Sequence, residues 1–187
     1  MIRYVTGNPG KVREVREYLD DPVEQVEYDY AEVQSDSVVE IASRGAREAH
    51  EAVGDPVLVD DAGLFVDAFD GFPGPYSSYV EDTVGVEGVW RLNEAETDED
   101  ERRASFRIAL VYCDAETREE EPDGVRVFEG KVTGRLVAPR GEGGFGYDPI
   151  FEYNGRTMAE MDAAEKNAVS HRGRALEKFA EWYAEHR

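Results

Sequence analysis

The chain has 187 residues, with 42 Asp and Glu against 21 Lys and Arg, which gives a formal net charge of -21 and a sequence pI of about 4.4. Such a surface repels nucleic acid and anionic membrane, which excludes a general duplex-binding role. A hydrophobic content of 41% is enough for the core of one domain or of two closely joined lobes.

Only four of the 21 cations are lysines. An acid-rich, lysine-poor surface is expected of a protein kept soluble in concentrated salt, where self-repulsion is screened, so the composition predicts a halophilic host. An ordinary acidic cytosolic protein is the alternative. The single cysteine, Cys113, lies in the apolar run "IALVYC", reads as a small buried hydrophobe and rules out an intrachain disulfide framework. No charged and apolar leader opens the chain, and no apolar stretch approaches the ~18 to 20 residues that span a bilayer. The expectation is a soluble, cytoplasmic protein.

In chain order, "MIRYVTGNPGKVREVREYL" predicts a short strand, a turn and a helix, with Asn8 as N-cap, Pro9 in the first helical position and Val12, Val15 and Leu19 as the apolar stripe. Residues 23–30 alternate like a half-buried strand, and 38–52 read as a helix. "PVLVD" at 56–60 is a short, nearly all-apolar strand of the kind buried on both faces. This alternation is an α/β pattern. Residues 67–80 read as a loop and 85–94 as a helix, and "ETDEDERR" is a solvated connector. "ASFRIALVYC" and "VRVFEGKVTGRLV" follow, and we expect them to pair antiparallel and form a second lobe. A glycine-rich loop, "GEGGFGYDP", leads to a short strand at "IFEY". The last helix starts near Ser170 and carries Leu176, Phe179 and Tyr183 on one stripe.

Four stretches are candidates for chemistry. The turn "TGNPGK", Thr6 to Lys11, aims backbone N–H groups and the positive end of a helix dipole at one point, which suits a phosphate, with Lys11 as a point charge. It lacks the Walker A spacing, and an ordinary capped helix gives the same pattern. In "VDDAGL", 59–64, side chains alternate, so Asp60 and Asp61 cannot both face one site while the strand is regular. Gly63 permits a sharp turn just beyond, which places the acids at the end of a central strand, where Mg²⁺ held by one or two carboxylates and substrate phosphates would fit. In a chain this acidic, adjacent acids also arise by chance.

In "GGFGYDPIF", 143–151, the glycines let a ligand approach, Phe145 and Tyr147 offer faces for a base, and Asp148, biased to extended backbone by Pro149, could meet a base edge. An ordinary glycine-rich hairpin is the alternative. In "EKNAVSHRGRAL", 165–176, His171 and Arg172 fall in the first turn of the last helix, an unfavourable place for cations unless an anion or a carbonyl-rich ligand faces them. Lys166 and Arg172 are donors for a base carbonyl or a phosphate.

Together, "TGNPGK", "AEVQ", "VDDAGL" with "GFPGPYS", "GGFGYDPIF", "AEM" and "EKNAVSHRGRAL" resemble, in order and across the whole chain, the inosine triphosphate pyrophosphatase family. The resemblance implies a two-lobed α/β fold with a long twisted mixed sheet flanked by helices, a single domain over 1–187 with the active site in the cleft between its lobes, and a homodimer. It also implies Mg²⁺-dependent hydrolysis of ITP, dITP and XTP to the monophosphate and pyrophosphate. Carried over by position, Thr6, Gly7, Asn8, Pro9, Gly10 and Lys11 would hold the triphosphate. Glu32 and Asp61 would be metal ligands, with Asp61 also the general base, and Glu40 is a second choice of ligand. Phe145 would stack on the purine beside Gly146 and Tyr147, and Asp148, Lys166, His171 and Arg172 would complete the base pocket. Three positions depart from the pattern: Ala62, also counted among the substrate contacts, stands in place of a serine, Gly45 in place of a lysine and Ser78 in place of a basic residue. Two other possibilities stay open: a catalytically idle nucleotide-binding module, and a nucleotide pyrophosphatase of the septum-formation-inhibitor type acting on dTTP or UTP.

Overall fold

A computed structural model describes residues 1–31 and 33–186, so that Glu32, one of the expected metal ligands, lies outside the described residues. The first expected strand, turn and helix are β1 (Ile2–Val5) and α1 (Pro9–Tyr18). Asn8 caps α1 by accepting from the Gly10 N–H, Pro9 opens the helix, and Val12 and Val15 are buried. The alternation at 23–30 yields only β2 (Val23–Val26). Helix α2 (Val38–Val53) is capped by Ser37 and ends at Gly54 in a left-handed conformation.

Strand β3 is longer than expected, Val57–Val66. It does not turn at Gly63. That glycine instead admits a neighbour, because a Cβ there would lie 2.0 Å from the carbonyl oxygen of Gly74, in β4 (Pro73–Gly74), which pairs antiparallel with β3. The stretch expected as loop to residue 80 therefore ends early and gives way to α3 (Ser77–Thr83), followed by α4 (Val86–Glu96).

The long strands are β5 (Arg103–Cys113) and β6 (Arg126–Leu136), separated by the short helix α5 (Ala115–Glu120). The chain closes with β7 (Phe151–Tyr153), β8 (Arg156–Thr157), α6 (Ala163–Val169) and α7 (His171–His186). The strands form one mixed sheet in the order β2-β1-β3-β5-β6-β7-β8, with β4 joined to β3. β1 runs parallel to both β2 and β3, whereas β6, β7 and β8 pair antiparallel.

Two compact units divide the chain. One comprises 1–61, 108–130 and the residues from 172 onward, and the other 62–107 and 131–171. β5 and β6 thus contribute to both units and do not make a second lobe by themselves. In the first unit Ile2, Tyr4, Leu58, Leu110 and Phe179 are buried, and the Cys113 thiol is enclosed. In the second, Leu64, Trp90, Phe106, Phe151 and Met158 form the core. Among the described residues no helix is long and apolar enough to cross a membrane.

Candidate active site

The turn from β1 to α1 is fixed by its own side chains. Thr6 Oγ1 accepts from the Asn8 N–H at 3.1 Å, Asn8 Oδ1 from the Gly10 N–H at 2.8 Å, and the Thr6 carbonyl from Gln25 Nε2 at 2.9 Å. Gly7, Asn8 and Pro9 are exposed, so the turn is presented to solvent. Two N–H groups that a helix start leaves orphaned are already used, and an anion meets fewer of them than the sequence suggests.

Behind this turn lies a buried cluster of charge. Asp60, on β3, accepts from the Tyr4 hydroxyl at 2.6 Å and receives the Lys11 ammonium on both oxygens, at 3.0 and 2.9 Å. Arg172, at the start of α7, donates to Glu14 of α1 at 3.1 Å. Burial opposes the charged form of Asp60, but the Lys11 ammonium, the Arg172 guanidinium and the Tyr4 hydroxyl hold its carboxyl below the usual value. Burial also works against the charge of Arg172, and Asp60, Tyr4 and Glu14 outweigh it and raise its pKa. The anion that a cation in the first turn of α7 demands is therefore supplied by the protein. Asp61 is the next residue on β3; the alternation of the strand turns it to the opposite face, where it is half-buried beside Ala62.

The second unit carries the other cluster. Gly144 has φ 72°, and a Cβ on it would lie 2.2 Å from Asp148 Oδ2, so the loop closes on that carboxylate only with glycine. The same oxygen accepts from the Phe145 N–H at 2.8 Å and from Lys166 Nζ. Asp148 starts a 3₁₀ turn, Asp148–Ile150, and is not extended as Pro149 suggested. The Lys166 ammonium stands 4.0 Å from the centroid of the Phe145 ring, which is 51% exposed. Gly146 follows with φ 60° and lies against the Glu81 carboxylate of α3. Burial, then Asp82 and Asp148, raise the pKa of Glu81.

Of the two aromatic faces expected in this loop, only Phe145 is open. Tyr147 belongs to the core and donates its hydroxyl to the Ser77 carbonyl at 2.8 Å. His171 stacks on Phe106, with ring centroids 5.1 Å apart.

The structure thus brings Lys11, Asp60 and Arg172 together in one unit and Phe145, Asp148 and Lys166 together in the other. Each of the three cations assigned to the nucleotide already has a carboxylate: Lys11 with Asp60, Arg172 with Glu14, Lys166 with Asp148. Glu40 is exposed and accepts from Ser35 Oγ at 2.7 Å. Gly45 has a physical reason, since a Cβ there would fall 2.6 Å from the Tyr30 ring, which would have to move to admit a longer side chain. Ser78 is exposed on α3, and nothing in the structure explains it. Sequence reasoning missed Tyr4, Glu14 and Glu81. Tyr4 carried a signal, since a hydroxyl inside the apolar strand "IRYV" needs a buried partner.

Set against known proteins, the chain belongs to the Ham1 family, which it matches over residues 2–182. It is 49% identical to the dITP/XTP pyrophosphatase of Methanopyrus kandleri, with 97% of this chain and 95% of that protein covered. Identity is 44% to the dITP/XTP pyrophosphatase of Thermococcus kodakarensis, with 98% and 97% covered. Among solved structures, a HAM1 protein from Coxiella burnetii superimposes with a TM-score of 0.86 at 35% identity, covering 98% of both chains. The Ham1 protein of Staphylococcus aureus gives 0.85 at 28% identity, covering 100% of this chain and 99% of its own.

Proposed function

We propose that this protein hydrolyses non-standard purine nucleoside triphosphates, ITP, dITP and XTP, to the nucleoside monophosphate and pyrophosphate in the cytoplasm. The observation that carries this is the near-complete alignment with relatives named for dITP and XTP, together with an acid at position 61.

The Thr6–Lys11 turn takes the triphosphate. Asp61 is the general base: it draws the proton from a water that attacks the α-phosphorus, the bond from that phosphorus to the bridging oxygen breaks, and pyrophosphate leaves. Positioning and charge neutralisation supply most of the rate in such a transfer. The donor set suits a hard cation carried largely by the substrate's own oxygens. Asp61 offers it a half-buried carboxylate. Mg²⁺ fits this role: Asp61 and Glu32 would hold it, and it would supply countercharge for the phosphates.

The exposed face of Phe145 stacks on the purine, with Gly146 giving it room. Lys166 and His171 are the donors for the 6-oxo group, with Arg172 as a further candidate. Adenine, with a 6-amino group there, would leave donors facing a donor, at about 1 to 3 kcal/mol for each unpaired group. Phe72, Tyr76 and Tyr79, exposed on or beside α3, support self-association as a homodimer.

The test is pyrophosphate release from ITP, dITP, XTP, ATP, GTP, dTTP and UTP with Mg²⁺ in high salt. Release from the first three at least ten-fold above ATP and GTP is expected, on the scale of about 1.4 kcal/mol per decade. Preference for dTTP or UTP, or no release from any, would overturn the assignment.

A further inference from the structure

In the register of the parallel pair β1 and β3, Tyr4 lies opposite Leu58, so Asp60, two residues further on, shares its face. The Tyr4 ring is fully buried, and its hydroxyl reaches Asp60 Oδ1 at 2.6 Å. Lys11 Nζ closes on the same carboxylate from the other side, at 3.0 and 2.9 Å. Of this pair Asp60 is enclosed, with a side chain 1% exposed, whereas that of Lys11 is 23% exposed. An ammonium has three donors. Contacts with both oxygens of one carboxylate use at most two of them, so at least one is left on a side chain that is partly exposed. The other charged group that acts on this carboxylate is Arg172 of α7, which is itself paired with Glu14 of α1.

The torsion that turns a carboxylate about its Cβ–Cγ bond is soft and roughly two-fold. A single cation that itself hangs on a flexible four-carbon stem does not fix it. The Tyr4 hydroxyl does, because its ring is immobilised in the core and it donates to one named oxygen. We propose that Tyr4 is a positioning residue for the triphosphate: it sets the plane of Asp60, and Asp60 in turn sets where the free proton of the Lys11 ammonium points.

The proposal rests on the nucleotide-hydrolysing role above, and its test separates the two. Tyr4→Phe, Lys11→Ala and the double variant are compared in KM and kcat for Mg–XTP, in Kd for inorganic tripolyphosphate by calorimetry, and in Tm. Tyr4→Phe is expected to raise KM and Kd about five-fold with kcat within about two-fold, and to add nothing further in the Lys11→Ala background. An equal weakening in both backgrounds, or none in either, overturns it. A purely structural role for the hydroxyl would lower Tm without this dependence on Lys11. If Tyr4→Phe fails to fold, Asp60→Glu, which keeps the charge on a longer arm, is read in the same cycle: tripolyphosphate binding must weaken when Lys11 is present and not when it is absent. A wild-type protein that cleaves no nucleotide would sink the hydrolase function, while the tripolyphosphate arm would still decide the part played by Tyr4.

Discussion

Asp60 receives the Lys11 ammonium from within the protein, and Asp61, one residue along β3, turns to the opposite face of the strand. Neighbours in sequence, they are distinct in chemistry. Asp61→Asn is expected to lower kcat about a thousand-fold, the scale of a general base, while nucleotide binding and Tm hold. Asp60→Asn leaves buried cations short of an anion and is expected to cost about 3 kcal/mol, or roughly 6 to 12 °C in Tm. Kinetics and thermal melts on both variants check this; the same phenotype in both would merge their roles.

Arg172 pairs with Glu14 in the buried cluster, and a single variant tests whether it also takes part in base choice as proposed. Arg172→Ala leaves Glu14 without its partner and removes a cation beside Asp60, so stability falls by about 3 kcal/mol. The ratio of ATP to ITP turnover is also expected to rise. An unchanged ratio in a folded variant would confine Arg172 to the buried charge cluster.

Tyr30 obstructs a long side chain at position 45. Gly45→Lys is expected to destabilise by about 1 to 3 kcal/mol through overpacking, despite the better helix propensity of lysine. Adding Tyr30→Ala should recover most of that loss in a chemical-denaturation series. No recovery would show that the obstacle is elsewhere.

Glu81 carries a pH-dependent penalty. Its carboxyl pKa is raised in the folded protein, by burial first and then by Asp82 and Asp148. Below the unfolded carboxylate pKa both states are protonated and nothing is lost; above it, ionisation costs more in the folded state, so stability falls as pH rises through that interval. Glu81→Gln should therefore match wild type near pH 3 and exceed it at pH 7, by about 0.5 kcal/mol at a site this exposed to solvent. Denaturation midpoints at the two pH values decide it; a gain confined to low pH would reverse the sign.

Local signals were read correctly where the physics is local. Asn8, Pro9 and the valine stripe of α1 are fixed by capping and periodicity within one stretch of chain, and the structure agrees. Gly63 is ambiguous in the sequence because a glycine that turns the chain and one that lets another backbone approach look alike until Gly74 is in place. The same limit applies at Asp148, where Pro149 argued for extended backbone but the contacts with Phe145 and Lys166 accompany a 3₁₀ turn. Tyr147 and Phe145 stand two residues apart in one motif, yet only the packing of α3 tells which ring is core. The cations proposed for the site stand out in the sequence, but their carboxylate partners do not. Lys11 and Asp60 are separated by 49 residues, and Arg172 and Glu14 by 158.

The pairing of those cations bears on the ionic medium. Side-chain exposures are 23% and 1% for Lys11 and Asp60, 14% and 6% for Lys166 and Asp148, and 6% and 20% for Arg172 and Glu14. For a surface pair such as Arg135 and Glu99 they are 41% and 76%. At about 1 M salt the screening length shrinks to ~3 Å, which dissolves the influence of surface charges but hardly enters a buried pair. The cations proposed to handle the nucleotide are thus insulated from dissolved salt. Dissolved ions can quieten the outer charge without loosening the grip beneath it.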